Sequence, residues 1–301
     1  MTSRVLPLAR EGDSPLALAS PQAGLPLGAL LVDLGRLAPP DAQRIHEHQA
    51  RTGQLYGEAG IELGLLGAPD VLAALSLQFG HVLPGRDCGL GAELVAVWQP
   101  ASDAVEQLRT LRSQLMLRWF ENDARHAALA VVSPGRAEGR SFLVANLGAL
   151  FAQLGRRTLV IDADLRHPRQ HRLFGVAGRQ GLSGVLAGRL GTDTVVDIPA
   201  VPGLSLLPAG TAPPNPQELL ARGGFARLLS ALRSSYEVIL VDTPAYGSCA
   251  DACTVSARAG AALVVACRDA SSLPGLSAVA GSLREFGVSV VGAVLNAAGR
   301  A

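Results

Sequence analysis

The chain has 301 residues, room for one large domain or two smaller ones, and 49% of them are hydrophobic. A formal net charge of +1 excludes an overall electrostatic pull toward nucleic acid or an acidic membrane, and no apolar run reaches the roughly 18–20 residues of a membrane span. All 26 basic residues are arginine, so any site that ordinarily uses lysine must use arginine or go without. The cysteines Cys88, Cys249, Cys253 and Cys267 form no C-x-x-C pair. They are expected to be small buried hydrophobes in a reduced cytoplasm rather than metal ligands, and no signal peptide opens the chain.

Residues 1–23 lack periodicity and read as a tail. An internal repeat follows over residues 24–80. Gly28, Gly35, Leu37, Pro40, Asp41 and Gln49 recur at one offset as Gly57, Gly64, Leu66, Pro69, Asp70 and Gln78. Each unit predicts a short helix stopped by glycine, then a second helix started near Pro-Asp, and two units can stack into a small helical domain. Residues 81–100 read as a Gly- and Pro-containing linker. Ser102 is the expected N-cap of a helix to about Phe120, with Val105, Leu108, Leu111 and Leu115 as its apolar stripe.

From residue 101 on, the pattern is that of one larger domain. Apolar strands at 128–133, 158–161, 204–207, 238–241, 262–266 and 288–295 alternate with helical stretches, which predicts an α/β fold with a mostly parallel sheet between helices. A helix is expected to open at Asn215-Pro216-Gln217-Glu218, with a cap, Pro at its first position and Glu at its third.

Three stretches carry the chemistry. Residues 131–141 read Val-Val-Ser-Pro-Gly-Arg-Ala-Glu-Gly-Arg-Ser: a strand, a Gly-containing loop and a helix start, the arrangement in which backbone N–H groups face phosphates. Against the pattern G-x-x-x-x-G-K-[ST], Gly139 and Ser141 match, Arg140 stands for the lysine and Pro134 for the first glycine. Taken alone, the loop also fits an ordinary Gly-rich βα turn. The next strand, however, ends in Asp162-Ala163-Asp164-Leu165-Arg166, and a later one in Asp242-Thr243-Pro244. Carboxylates at the C-terminal ends of parallel strands lie where open α/β sheets bind ligands, and a Walker B aspartate holds Mg²⁺ directly or through water.

A P-loop, then hydrophobic-D-x-D-x-R, then hydrophobic-D-T-P is similar to the three Walker motifs of the bacterial tyrosine kinases of capsule and exopolysaccharide synthesis. Glu106-x-x-Arg109-x-x-Arg112 resembles that family's E-x-x-R-x-x-R ring-contact motif, although such spacing is also that of a solvated helix face. Gly210 to Leu220 resembles its G-x-x-P-P-N-P-x-E-L-L segment, and Asp251 follows at a familiar distance. The resemblance covers about residues 100–301. The helical repeat and the G-R-x-E-G-R-S loop look like those of the EpsG-type chain-length-determinant kinases.

Chemistry and resemblance together imply a set of roles. ATP lies on the loop Gly135, Arg136, Ala137, Glu138, Gly139, Arg140 and Ser141, with Phe142 adjoining. Ser141 and Asp242 organise Mg²⁺ with Asp164 beside it, Asp162 is the base for a tyrosine hydroxyl, and Arg140 serves the terminal phosphates. Asn296 either reaches the nucleobase or is a strand-end turn residue. The function implied is an ATP-dependent protein tyrosine kinase regulating exopolysaccharide polymerisation, chain length or export. Its expected setting is the cytoplasm, recruited to the inner membrane face through a membrane chain-length-determinant (Wzz-like) adaptor. Homo-oligomers are expected; direct membrane insertion and nucleic acid are not.

Two departures shape the alternatives. Arg140 keeps the charge but is larger, planar and fork-shaped. Only Tyr56, Tyr236 and Tyr246 are present, so the C-terminal tyrosine cluster of many relatives is missing, and the acceptor is another protein or the chain is a catalytically weak nucleotide-binding regulator. A partitioning or cell-division P-loop ATPase is a further alternative, but it would carry a second lysine where Gly135 stands. The repeat itself is similar to the MshEN-type module that precedes secretion ATPases and binds cyclic di-GMP. Pro26 and Leu55 hold that motif's arginine positions, and Ala42 and His46 also differ. The expectation is therefore a retained fold without cyclic di-GMP binding, with His46 a partly exposed helix residue.

Overall fold

The computed structural model describes residues 25–78, 88–123 and 126–297, and the chain divides into two units after Leu83. The expected tail at residues 1–23 lies outside the described residues.

The first unit contains α1 (Leu27–Asp33), α2 (Pro39–Thr52), α3 (Tyr56–Glu62) and α4 (Ala68–Gln78). The sequence repeat is a structural repeat. Gly35 and Gly64 both take φ +65°, a left-handed conformation that only glycine adopts cheaply. After each, two successive N–H groups return to one carbonyl: Arg36 and Leu37 to Leu31, Leu65 and Leu66 to Gly60. The turns aim Leu30, Leu31, Leu37, Ile45, Ala59, Leu66 and Ala74 into one core. Pro26 and Leu55 stand immediately before α1 and α3, and His46 is exposed on α2.

The second unit opens with α5 (Val95–Trp98) and α6 (Asp103–Leu115), which widens into a π-helical turn at Met116–Phe120. There follow β1 (Ala128–Val132), α7 (Arg140–Gln153), β2 (Thr158–Asp162), α8 (Gln170–Leu173), α9 (Leu182–Leu186), β3 (Val196–Asp197), β4 (Leu204–Leu207), α10 (Pro216–Ala221) and α11 (Gly224–Leu232). The chain continues with β5 (Val238–Asp242), α12 (Asp251–Ala259), β6 (Ala261–Cys267), α13 (Leu273–Glu285) and β7 (Ser289–Asn296). The sheet order is β3-β4-β2-β5-β1-β6-β7. All neighbours are parallel except β3, which runs antiparallel to β4. Along β1, Leu129 and Val131 enter one apolar cluster with α6 and α7, while Ala128, Ala130 and Val132 enter the other with α11, α12 and α13. Period-2 alternation with both faces covered is what makes each strand read as an unbroken apolar run.

The structure differs from the sequence expectation at several points. The linker assigned to 81–100 is not irregular throughout: Leu94, Ala96 and Val97 are buried, and the Ala96 N–H donates to Asn146 Oδ1 on α7 at 2.9 Å. Residues 81–87 of that stretch lie outside the described ones. The two-residue β3 was not foreseen, because two exposed residues carry no periodicity. Ser102 and Asn215 stand at the N-cap positions of α6 and α10, yet neither side chain makes a cap bond, and the Ser102 hydroxyl is buried without a partner. Cys253 and Cys267 are buried, whereas Cys249 is half-buried and Cys88 exposed.

Candidate active site

β1, β2 and β5 are adjacent and parallel, so their C-terminal ends open on one edge, and α7 starts there. Asp162 and Asp242 are register partners at the ends of β2 and β5, and both are fully buried. The Asp162 carboxylate accepts backbone N–H groups from Asp164 (3.2 Å), Arg169 (3.0 Å) and Gln170 (3.0 Å). Asp164 Oδ1 accepts those of Arg166 and His167. These bonds fold the segment after β2 tightly over the strand ends. Arg166 leaves that turn to pair with the buried Asp251 at the start of α12, Nε to Oδ2 2.9 Å.

The loop from Ser133 to Gly139 turns sharply. Gly139 takes φ +100° and Ala137 φ +58°. A Cβ in the left-handed region costs about 1–2 kcal/mol, so Ala137 holds strain within the loop. Arg140 is 8% exposed. Its Nε donates to Thr243 O at 2.9 Å and its Nη1 to Gly135 O at 2.6 Å and to Ser133 Oγ. The guanidinium therefore braces the loop's own carbonyls and the residue after Asp242. Glu138, also buried, accepts the Gly135 N–H at 2.7 Å and pairs with Ser271 Oγ. Its backbone oxygen accepts Asn296 Nδ2 at 3.1 Å. Both predicted loop residues thus point inward, and Asn296, expected at the base or in a turn, stands against the loop.

Burial, then the neighbouring Asp242 charge, pushes the Asp162 carboxyl well above the usual carboxylate range, although the Gln170 and Arg169 N–H groups oppose it. Burial also raises Asp242, opposed by Ser141, Gln170 and Arg140. Two adjacent buried carboxylates call for a positive charge. Asp242 Oδ1 is buried without a hydrogen-bond partner, and Ser141 lies beside the carboxylate. A bare carboxylate oxygen next to a hydroxyl fits Mg²⁺, which takes few protein oxygens and keeps water and phosphate as its other ligands. Among the described residues no group of three His, Cys, Asp or Glu side chains could hold a metal.

Next to the loop, Gly139, Phe142, Asn296 and Ala297 line a cavity of about 470 Å³ with Gln107 and Leu111 of α6, within the usual size range of a small-ligand site. Away from it, Glu106 and Arg109 pair at 3.1 Å. Arg112 instead donates to Leu150 O of α7 at 3.2 Å, so it anchors its helix within the unit.

Sequence reading missed Gln170, Thr243 O and Ser271, which join the site only through folding. Gln170 was the most legible of them, as a polar residue eight positions after Asp162 in a stretch that returns to the strand ends.

A phosphate-type loop at a helix start, flanked by paired strand-end aspartates in a parallel sheet, is the architecture of a P-loop NTPase-type domain. No family model matches the chain. Among curated relatives it is similar to the putative tyrosine-protein kinase EpsB of Ralstonia solanacearum, 37% identical over 207 residues, covering 69% of this chain and 27% of the relative. It is also similar to the putative tyrosine-protein kinase CapB of Staphylococcus aureus, 33% identical over 198 residues, covering 66% of this chain and 86% of CapB. Among solved structures, the kinase domain of Escherichia coli tyrosine kinase ETK aligns with TM-score 0.65 at 32% identity, over 69% of this chain and 82% of that one. The chain belongs to the bacterial tyrosine kinase family. It spans about a quarter of the length of EpsB and most of CapB.

Proposed function

We propose that the chain is an ATP-dependent protein tyrosine kinase that regulates exopolysaccharide polymerisation, chain length or export. The observation that carries this reading is the convergence of the loop, Asp162, Asp164 and Asp242 on one sheet edge. ATP lies along the loop from Gly135 to Ser141, with its base in the cavity between Phe142, Asn296 and α6. Ser141 and Asp242 hold Mg²⁺, with Asp164 beside them; when bound, the ion neutralises charge on the phosphate oxygens. Asp162, whose raised pKa suits proton acceptance, takes the proton of the incoming tyrosine hydroxyl after releasing a backbone N–H. Arg140 exchanges Gly135 O for a terminal phosphate oxygen.

A second reading, a catalytically weak nucleotide-binding regulator, is favoured by the inward Arg140 and by the Glu138 carboxylate on the Gly135 N–H. Transfer from radiolabelled ATP separates the two. The expected result is low transfer by the chain alone and a clear rise with the cytoplasmic segment of a membrane chain-length-determinant adaptor, whose contacts would hold the phosphates. Nucleotide binding without transfer in either condition leaves only the regulator. Among the described residues no helix is long and apolar enough to cross a membrane.

Self-association through α6 is part of the same reading. Because Arg112 is committed to α7, the contact falls to Glu106 and Arg109. A Glu106→Ala/Arg109→Ala variant should scatter light as a smaller species than the parent while melting at the same temperature. Equal masses would reduce the pair to a solvated ion pair worth a few tenths of a kcal/mol (about 0.3–0.5).

A further inference from the structure

Gln170 is fully buried at the start of α8, and it touches all three motifs. Its backbone N–H donates to Asp162 Oδ2 at 3.0 Å. Its side-chain Nε2 donates to Asp242 Oδ2 at 2.8 Å and to the backbone oxygen of Ser141 at 3.1 Å. Its Oε1 is buried without a hydrogen-bond partner. An amide sunk between two carboxylates and a helix start leaves its own Oε1 unsatisfied but supplies the donor on the buried Asp242 Oδ2, which an apolar side chain of that size would leave unpaired.

The two Nε2 bonds have a geometric consequence. An NH₂ group carries two donors, and here one goes to the Walker B carboxylate and the other to the first turn of the P-loop helix. Asp242 Oδ2 is thereby tied, so the carboxylate cannot rotate, and Oδ1 is the oxygen left bare. The same side chain fixes the Ser141 backbone, and with it the place from which the Ser141 hydroxyl starts.

We infer that Gln170 is a positioning residue for the magnesium–nucleotide site: it clamps Asp242 and Ser141 so that one carboxylate oxygen and one hydroxyl face the cation together. The inference rests on the nucleotide-and-metal reading above. Groups that orient a ligand without touching the metal typically change metal affinity 10–100-fold when removed.

The test uses the full chain with a fluorescent ADP analogue, titrated with MgCl₂ and separately bound in EDTA. Gln170→Met removes both side-chain donors at similar volume; Gln170→Leu is a second apolar replacement if Met packs poorly. The Mg²⁺ concentration for half-maximal enhancement of binding should rise about 10-fold or more, with metal-free affinity close to the parent's and a lower melting temperature, because the buried Asp242 Oδ2 loses its donor. Parental magnesium dependence in the variants would overturn the inference, as would equal weakening with and without metal, which marks simple packing. If the parent shows no magnesium-dependent binding, the site reading itself fails, a result distinguishable from failure of the clamp.

Discussion

Asp242→Asn is expected to remove magnesium-supported nucleotide binding and, in the same molecule, to raise the melting temperature of the nucleotide-free chain. Asp242 is fully buried beside Asp162, and its Oδ1 lacks a hydrogen-bond partner. Replacing the carboxylate by an amide takes away the charge that a hard divalent ion requires. Affinity in magnesium should fall on the order of 100-fold, about 2.7 kcal/mol, with little change in EDTA. Stability should move the other way, because the amide is not penalised by burial or by the Asp162 charge.

The pH dependence carries the same sign. Both folded-state pKa values lie above the ordinary carboxylate value. Such groups contribute stability below the unfolded pKa of about 3.9 and lose it as pH rises through the raised value. Melting of the parent without metal should therefore show a stability loss across that window, and Asp242→Asn should flatten it. A variant that melts lower than the parent at neutral pH and keeps its magnesium dependence would remove Asp242 from the site.

Arg140→Ala should be the most damaging single change in the loop. The guanidinium supplies Thr243 O, Gly135 O and Ser133 Oγ in a buried setting. Truncation strands Thr243 O, at about 1–3 kcal/mol where water cannot reach it, whereas Gly135 O keeps the Ser133 hydroxyl as donor at 2.9 Å. The expected loss is about 1–3 kcal/mol, a fall in melting temperature of roughly 2–12 °C at the 2–4 °C per kcal/mol of a unit this size. Phosphoryl transfer should be lost with it, since the chain contains no lysine to substitute. Arg140→Lys separates the two roles. One ammonium cannot span acceptors that a planar fork reaches, so stability should fall, while transfer should be kept or raised because a compact charge is free for the phosphates. Thermal melts paired with transfer assays read both. If Arg140→Ala transfers phosphate as the parent does, Arg140 is not the phosphate cation and the kinase reading retreats to the regulator.

The contrast between these two residues shows what each level of structure decides. The 29-residue repeat, the apolar strands and the strand-end aspartates were legible because they are local. A glycine at φ +65° ends a helix from its own backbone conformation, and a strand buried on both faces is apolar through its interior. The short antiparallel β3 was not legible, since its two exposed residues are held only by β4. Nor were the caps, where Ser102 and Asn215 had the right chemistry and no bond formed. The sequence by itself placed an arginine where a lysine is usual and three aspartates at strand ends. Only the tertiary structure turned that arginine onto the loop's carbonyls, set Asp162 against Asp242 across a β2–β5 register, and brought Gln170 between them. The physical reason is that side-chain direction at a buried site follows from which partners surround it, and those partners come from β1, β2, β5 and the turns after them, strands that neighbour one another in the sheet but lie tens of residues apart in the chain.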